Sequence, residues 1–356
     1  MKKYTMEDYI KETPQVLQYN LDNHQQLVKP LIEKISNLKF KSIILIASGS
    51  SYNACYIAKP FLSKCLKCEI KIITPYTFTY YEHELINEAL VLVISQSGQS
   101  TNAIEALKKI KELGYRAICL TGNKQNDVKN YADLVLDYGV GEELVGYVTK
   151  GVTTLAFYLC LFAINYSKQF EYLKELQKVV ILNQEMIEKA ELFIEAHYKS
   201  FSSMHQCYLC GAGGTFGVAL EGALKVGETI HIPSNCFEVE EYIHGPNLQL
   251  DPSYTVIFFD GNDQASTRIQ QIYQATRQIS DHCYLICQRG GDDHILSLSD
   301  QVIFELSSLV YLPFIQLLSY LISRDLKTIY QHPLLNKFKQ IASAKTASFV
   351  NYDDDN

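Results

Sequence analysis

Two short serine-rich segments have the residue types to grip an anion. They read Ala47-Ser48-Gly49-Ser50-Ser51-Tyr52-Asn53 and Ser95-Gln96-Ser97-Gly98-Gln99-Ser100-Thr101, each between an apolar run and a helix-like stretch. A bound phosphate needs converging donors. A helix N-terminus supplies unpaired N–H groups and a positive dipole end, glycine lets the backbone approach, and short hydroxyls add donors without bulk. One such turn alone is better read as a cap and turn former. Two of them after strands of the same kind favour a ligand. Neither fits G-x-G-x-x-G or the P-loop lysine motif, so a dinucleotide or nucleoside triphosphate is not indicated.

A second constellation lies further on. Glu221, Lys225 and Glu228 are spaced i, i+4, i+7 and share one helix face. That spacing also suits a surface ion-pair ladder. The segment follows a second glycine-rich turn, Gly211-Ala212-Gly213, and its other face is small and apolar, as for a helix packed beside a cleft. His244 precedes Gly245-Pro246, a rigid turn able to hold a side chain in place.

The surrounding pattern supplies elements to position these residues. Residues 5–38 have helical periodicity and read as a lead-in. From residue 41, apolar strands alternate with helices: KSIILIAS, a helix over about 50–66, CEIKIITP, ALVLVIS, the amphipathic TNAIEALKKIKELG closed by Gly114, YRAICLTG and ADLVLDYG. A long helical region is expected over 151–198. The pattern then restarts with QCYLCGAG, a helix over 214–230, SYTVIFFDG, a helix near 263–279, HCYLICQRG, QVIFELS and a helix near 309–325. Apolar strands alternating with helices predict parallel, doubly wound sheets. The recurrence at an offset of roughly 160 residues predicts a duplicated domain. The expected division is a lead-in (1–40), a first α/β domain (41–168), a connecting helix (169–199), a second α/β domain (200–330) and a tail (331–356) ending in a solvated Tyr352–Asn356.

Length and composition agree. The chain has 356 residues, which suits two domains, and its 47% hydrophobic and 20% charged residues are a soluble globular balance. Lys plus Arg is 32 against 39 Asp plus Glu, a net charge of −7, so a nucleic-acid partner is not expected. MKKYTMEDYIKETPQ has no apolar run and is not a secretory signal. The longest apolar stretch, about 151–165, is too short to span a bilayer and reads as a core helix, so no membrane partner is expected. Ten cysteines are present, including Cys65/Cys68 and Cys207/Cys210. The second pair falls in a strand and points to opposite faces, so it cannot chelate one ion. Free thiols, a cytoplasmic setting and no metal are expected.

ASGSSYNA followed by ISQSGQST resembles the signature of the sugar isomerase (SIS) family, in particular the isomerase half of the glutamine:fructose-6-phosphate aminotransferases, and is similar to the deglycases and deaminases that share that half. The resemblance extends over about 40–346. It implies two tandem SIS domains, each a three-layer αβα sandwich, and a sugar phosphate held by Ser50, Ser51, Ser95, Gln96, Ser97 and Ser100. Phe259-Asp260-Gly261-Asn262 stands where the second serine turn would recur, so only the first half keeps the full cradle.

Aldose–ketose chemistry needs a base to carry a proton between C1 and C2 and an acid–base group to open the ring. The resemblance gives Glu228 the first role and His244 the second, with Lys225 supporting the carboxylate. It also implies a homodimer in which His244 enters from the neighbouring subunit. A lysine near the C-terminus would form a Schiff base with the ketose. Lys345 fits best, with Lys337 and Lys339 as alternatives. No cofactor is implied. With no cysteine nucleophile at the start and no room for a glutaminase domain, the expected chemistry is the sugar half-reaction alone: isomerising, deaminating or deglycating a 6-phosphorylated amino sugar or fructosamine. A plain ketose–aldose phosphate isomerase or a non-catalytic sugar-phosphate sensor are the alternatives.

Overall fold

The computed structural model describes residues 4–86, 88–329 and 334–350; Tyr352–Asn356 lies outside them. Along the chain, the lead-in is two helices, α1 (Met6–Asp22) and α2 (His24–Ile35). Then come β1 (Ser42–Ile46), α3 (Ser50–Leu66), β2 (Glu69–Ile73), a short α4 (Pro75–Thr77) running into a π-helical turn, β3 (Ala89–Ile94), α5 (Thr101–Glu112), β4 (Ile118–Thr121), β5 (Leu134–Asp137) and α6 (Lys150–Ser167). The rest comprises α7 (Leu173–Ala196), α8 (Tyr198–Ser202), β6 (Cys207–Gly211), α9 (Gly214–Thr229), β7 (Ser234–Glu238), α10 (Val239–Ile243), β8 (Thr255–Phe259), α11 (Ser266–Arg277), β9 (Cys283–Cys287), β10 (Ile295–Ser297), α12 (Ser307–Leu326) and α13 (Leu335–Ile341).

The chain forms two compact units. One comprises Val16–Cys55, Phe61–Phe170 and Gln331–Asn356; the other comprises Met1–Gln15, Tyr56–Pro60 and Glu171–Tyr330. The first holds a parallel sheet of order β2-β1-β3-β4-β5, the second a parallel sheet of order β7-β6-β8-β9-β10. These orders are the same topology written twice. In each unit the first strand is followed by a glycine at positive φ that caps the start of a helix: Gly49 at φ 58° before α3, Gly213 at φ 55° before α9. β6, β8 and β9 are buried along their whole length, as strands covered on both faces must be. Tyr208 and Cys210 face one core cluster together, and Cys207, one step out of phase, does not join it.

Over the helical region 151–198, Lys168 takes a left-handed conformation (φ 60°) that ends α6, and α7 starts anew. One expectation needs correction: QVIFELS is not a strand. The Val302 N–H is donated to Gln288 Oε1 (2.7 Å) and the Ile303 N–H to Glu175 Oε2 (3.4 Å), so side chains take the place of a sheet neighbour. The fifth strand is instead the short β10. The stretch 151–165 lies in α6, buried from Lys150 to Ile164 as a core helix is, and among the described residues the helix long and apolar enough to cross a membrane is Phe304–Leu326. Its apolar window is 94% buried, and α12 packs on α7 and α9 as a core helix.

Candidate functional site

In the first sheet the strand order reverses direction between β1 and β3, since β2 lies on one side of β1 and β4 beyond β3. The crevice outside the carboxyl ends at such a switch point is where open α/β sheets take ligands. Both serine turns leave from it. Ser50 and Ser51 open α3 and are buried, whereas Ser48 is exposed and accepts a hydrogen bond from Asn102 Nδ2 at 3.1 Å. Ser95 follows β3 and is also buried, and its hydroxyl makes no hydrogen bond. A buried polar atom left without a partner marks a place where a ligand or water belongs.

Gly98 gives the second turn its shape. It sits at φ 64°, and a side chain there would press on Asn126, Val128 and Thr121. The turn is further fixed by Asn126 Nδ2 donating to the Ser97 carbonyl (2.7 Å) and by the Gln99 N–H donating to Ser97 Oγ (3.2 Å).

The tail brings Lys345 to this turn. Ser100 and Lys345 form an antiparallel bridge, the Thr101 N–H is donated to the Ala344 carbonyl (3.1 Å), and the Thr346 N–H to the Gln99 carbonyl (2.9 Å). Gln99 Nε2 donates to Ser348 Oγ (2.9 Å), which in turn donates to Asp127 (2.6 Å). Lys345 Nζ lies 2.9 Å from Ser97 Oγ and 3.4 Å from Ser100 Oγ, over the ring of Phe349. Burial lowers its pKa, and among the described residues no carboxylate pairs with it. Lys337 and Lys339 lie on α13, which is exposed throughout.

Gln96 has a different surrounding from the serines. Its Nε2 donates to Glu143, and its Oε1 is buried without a hydrogen bond against Gly151. Glu143 is a partner of the serine turn that the sequence did not reveal. Its carboxylate also accepts the N–H groups of Thr149 (3.0 Å), Lys150 (2.6 Å) and Gly151 (3.1 Å), and so caps α6 while tethering the serine turn. Burial pushes its pKa above the ordinary range, against these hydrogen bonds and the Lys150 charge. A cap normally sits immediately before its helix. This one acts from several residues upstream, so no local pattern announces it.

In the second unit, α9 places Glu221, Lys225 and Glu228 together. Lys225 Nζ is 3.3 Å from Glu221 and bonded to Glu228. Glu221 and Lys225 are fully buried and Glu228 is partly open, so this is an interior ion cluster and not a surface ladder. Burial works to lower the Lys225 pKa, but the two carboxylates outweigh it and hold it above the ordinary lysine value. His244 follows α10 and is exposed; Gly245 beside it stands at φ 145°, a conformation that favours glycine. At the second sheet's switch point the buried Asp260 accepts from the Asn262 N–H (2.8 Å) and the Ser266 hydroxyl (2.6 Å). The second switch point thus carries a buried carboxylate where the first carries serine hydroxyls. Among the described residues no group of three or more His, Cys, Asp or Glu side chains is placed to hold a metal.

Comparison with known proteins agrees with this architecture. Residues 38–164 match the SIS domain. A glutamine:fructose-6-phosphate aminotransferase (isomerizing) from Pseudomonas syringae pv. tomato is 26% identical over 347 residues, which cover 88% of this chain and 55% of the relative. The chain thus spans about half the length of the curated relatives it matches. Among solved structures, the C-terminal domain of a glucosamine-fructose-6-phosphate aminotransferase from Francisella tularensis superposes with a TM-score of 0.78 at 24% identity, covering 93% of this chain and 99% of that one. A glucosamine-6-phosphate deaminase from Thermotoga maritima superposes with a TM-score of 0.69 at 18% identity, covering 88% and 94%. The two parallel sheets are therefore tandem SIS folds with flanking helices.

Proposed function

We propose that this SIS-domain protein, which resembles the isomerase half of glutamine:fructose-6-phosphate aminotransferase, is a phosphosugar-processing enzyme acting on a 6-phosphorylated amino sugar or fructosamine. The observation that carries the reading is the meeting of Ser97, Ser100 and the Lys345 ammonium at the carboxyl end of β3, beside the unpartnered Ser95 hydroxyl. Hydroxyls and a cation with no carboxylate to neutralise it make an anion site.

In this reading Ser50, Ser51, Ser95, Ser97 and Ser100 hold the phosphate ester. Gln96 joins them through its backbone, because its side chain is committed to Glu143. Glu228 carries the proton between C1 and C2 of the open-chain sugar, with Lys225 holding the carboxylate in place. His244, exposed on its turn, opens the ring and serves a neighbouring copy in a cytoplasmic homodimer. The C–N bond at C1 or C2 is then cleaved or transferred through an enolamine.

The reading is tested by incubating the protein with fructosamine 6-phosphates, glucosamine 6-phosphate, or fructose 6-phosphate plus ammonia, and following products by mass spectrometry. Turnover of one of these, with release or uptake of the amine and a loss of about 100-fold or more in Glu228→Gln, is the expected result. Isomerisation without any change at nitrogen would point to a plain ketose–aldose isomerase. Full activity in Glu228→Gln would remove Glu228 from the chemistry, and no turnover of any member would favour a sensor.

A further inference from the structure

The geometry points to a second ligand site, built wholly within the unit of the second sheet: a cleft between α11 and the β9–β10 connection that takes a small hydroxylated organic anion of the sugar-phosphate class. It goes beyond the function proposed above and does not depend on the serine turns.

The cleft exists because one connection is short. In the first sheet the chain passes from β4 to β5 through residues 122–133, which include a 3-10 turn, Asp127–Asn130. Val128 of that turn is buried in one core cluster with Ala103, Ile104 and Leu107 of α5. Tyr131 packs against the same cluster, with Lys108 Nζ 4.9 Å from its ring centroid. That flank of α5 is therefore covered. In the second sheet β9 reaches β10 through residues 288–294, with no helical turn between them. The corresponding flank of α11 is left open as a cavity of about 380 Å³. Ligand pockets run from about 300 to 1,000 Å³, so this one suits a single small metabolite.

The lining sorts by chemistry. Gln270, Gln274 and Gln278 recur every fourth residue and present three primary amides along one stripe. Tyr273 and Arg277 form the neighbouring stripe, and Arg289 enters from the connection. Leu285 and Ile295 give the cavity an apolar part. Amides and a phenol can bond sugar hydroxyls, apolar side chains can take the C–H face of a sugar, and guanidinium forks match phosphate oxygens.

A solvated helix flank would also carry polar side chains, but two features exceed that. Tyr273 is only 4% exposed, and its hydroxyl is enclosed without a hydrogen bond in the fold. Such an atom marks a place where a ligand or water belongs. The second feature is charge. Asp292 Oδ2 stands 3.8 Å from Arg277, at the outer limit of an ion pair, while its Oδ1 accepts the His294 N–H at 2.7 Å. Arg289 makes no ion pair among the described residues. Two guanidiniums against one carboxylate leave a positive site on a chain of net charge −7.

The test uses the full chain and hydrogen exchange, with glucose 6-phosphate as the probe and glucose as its neutral counterpart. Glucose 6-phosphate should raise protection in 270–278 and 288–294, and glucose should not. The concentration giving half-maximal protection should rise about 10-fold in Arg289→Gln and about 100-fold in Arg277→Gln/Arg289→Gln. Tyr273→Phe should raise it about 3- to 10-fold and leave the urea midpoint unchanged, because the hydroxyl has no partner in the fold to lose. A lowered midpoint with unchanged binding would make that hydroxyl structural and overturn its role here. No protection of these segments, equal protection by glucose, or undiminished protection in the double arginine variant overturns the site. The serine turns report separately through residues 97–101, so failure of this site leaves the function proposed above standing, and failure there leaves this site standing.

Discussion

Lys225 and Lys345 are both drawn away from water, and their neighbours set them to different tasks. Lys225 is locked between Glu221 and Glu228, and its pKa lies above the ordinary lysine value despite burial. Removing its charge strands the fully buried Glu221. Lys225→Met should therefore cost about 3–5 kcal/mol, read as a lower urea midpoint at neutral pH. Adding Glu221→Gln should recover part of it. The sign follows from the raised pKa: the folded chain holds this proton more tightly, so the contribution is complete below the ordinary lysine pKa and is lost as pH rises through the folded value. An unchanged midpoint in Lys225→Met would contradict the cluster's structural weight. Among the described residues Lys345 has no such compensation, and burial lowers its pKa. It is the side chain of the two with charge left to offer a ligand.

At the scale of elements, α6 and the serine turn are coupled through one missing methyl group. A Cβ on Gly151 would fall 2.0 Å from Gln96 Oε1 and 2.4 Å from Gln96 Cδ. Alanine is the better helix former by about 1 kcal/mol. Yet Gly151→Ala should destabilise the protein by about 1–3 kcal/mol and raise KM for a phosphate ester with little change in kcat, because Gln96 is pushed off Glu143. A more stable Gly151→Ala protein with unchanged KM would show that the turn does not depend on this contact. The long strands and helices were legible because their apolar runs and periodicity are local: β1, β3, β6, β8 and β9, and α3, α5 and α9, lie where the pattern indicates. β7 was not legible, since SNCFE is mostly half-buried at a sheet edge and carries no apolar run. Ser97, Ser100 and Lys345 could be nominated from motifs. Glu143 could not, because its partners are gathered by tertiary structure.

At the scale of the whole molecule, the two sheets repeat one topology but not one chemistry. The switch point of the first presents hydroxyls, that of the second the buried Asp260. Hydrogen exchange with and without fructose 6-phosphate should show the consequence. Protection should rise together in 97–101 and 344–348, and residues 260–266 should stay unchanged. Protection confined to 260–266 would reverse the assignment of the two halves.

The bridge between Ser100 and Lys345 also governs how this protein can be taken apart. The unit that holds the serine turns is discontinuous in sequence: its last strip of chain returns only after residues 171–330 have been spent elsewhere. A fragment ending at Phe170, however well it folds, would carry the serine hydroxyls without Lys345. Anyone dissecting or fusing the chain near its end would be editing the serine turn from a distance of more than two hundred residues in sequence, since Lys345 and Ser97 are 248 positions apart.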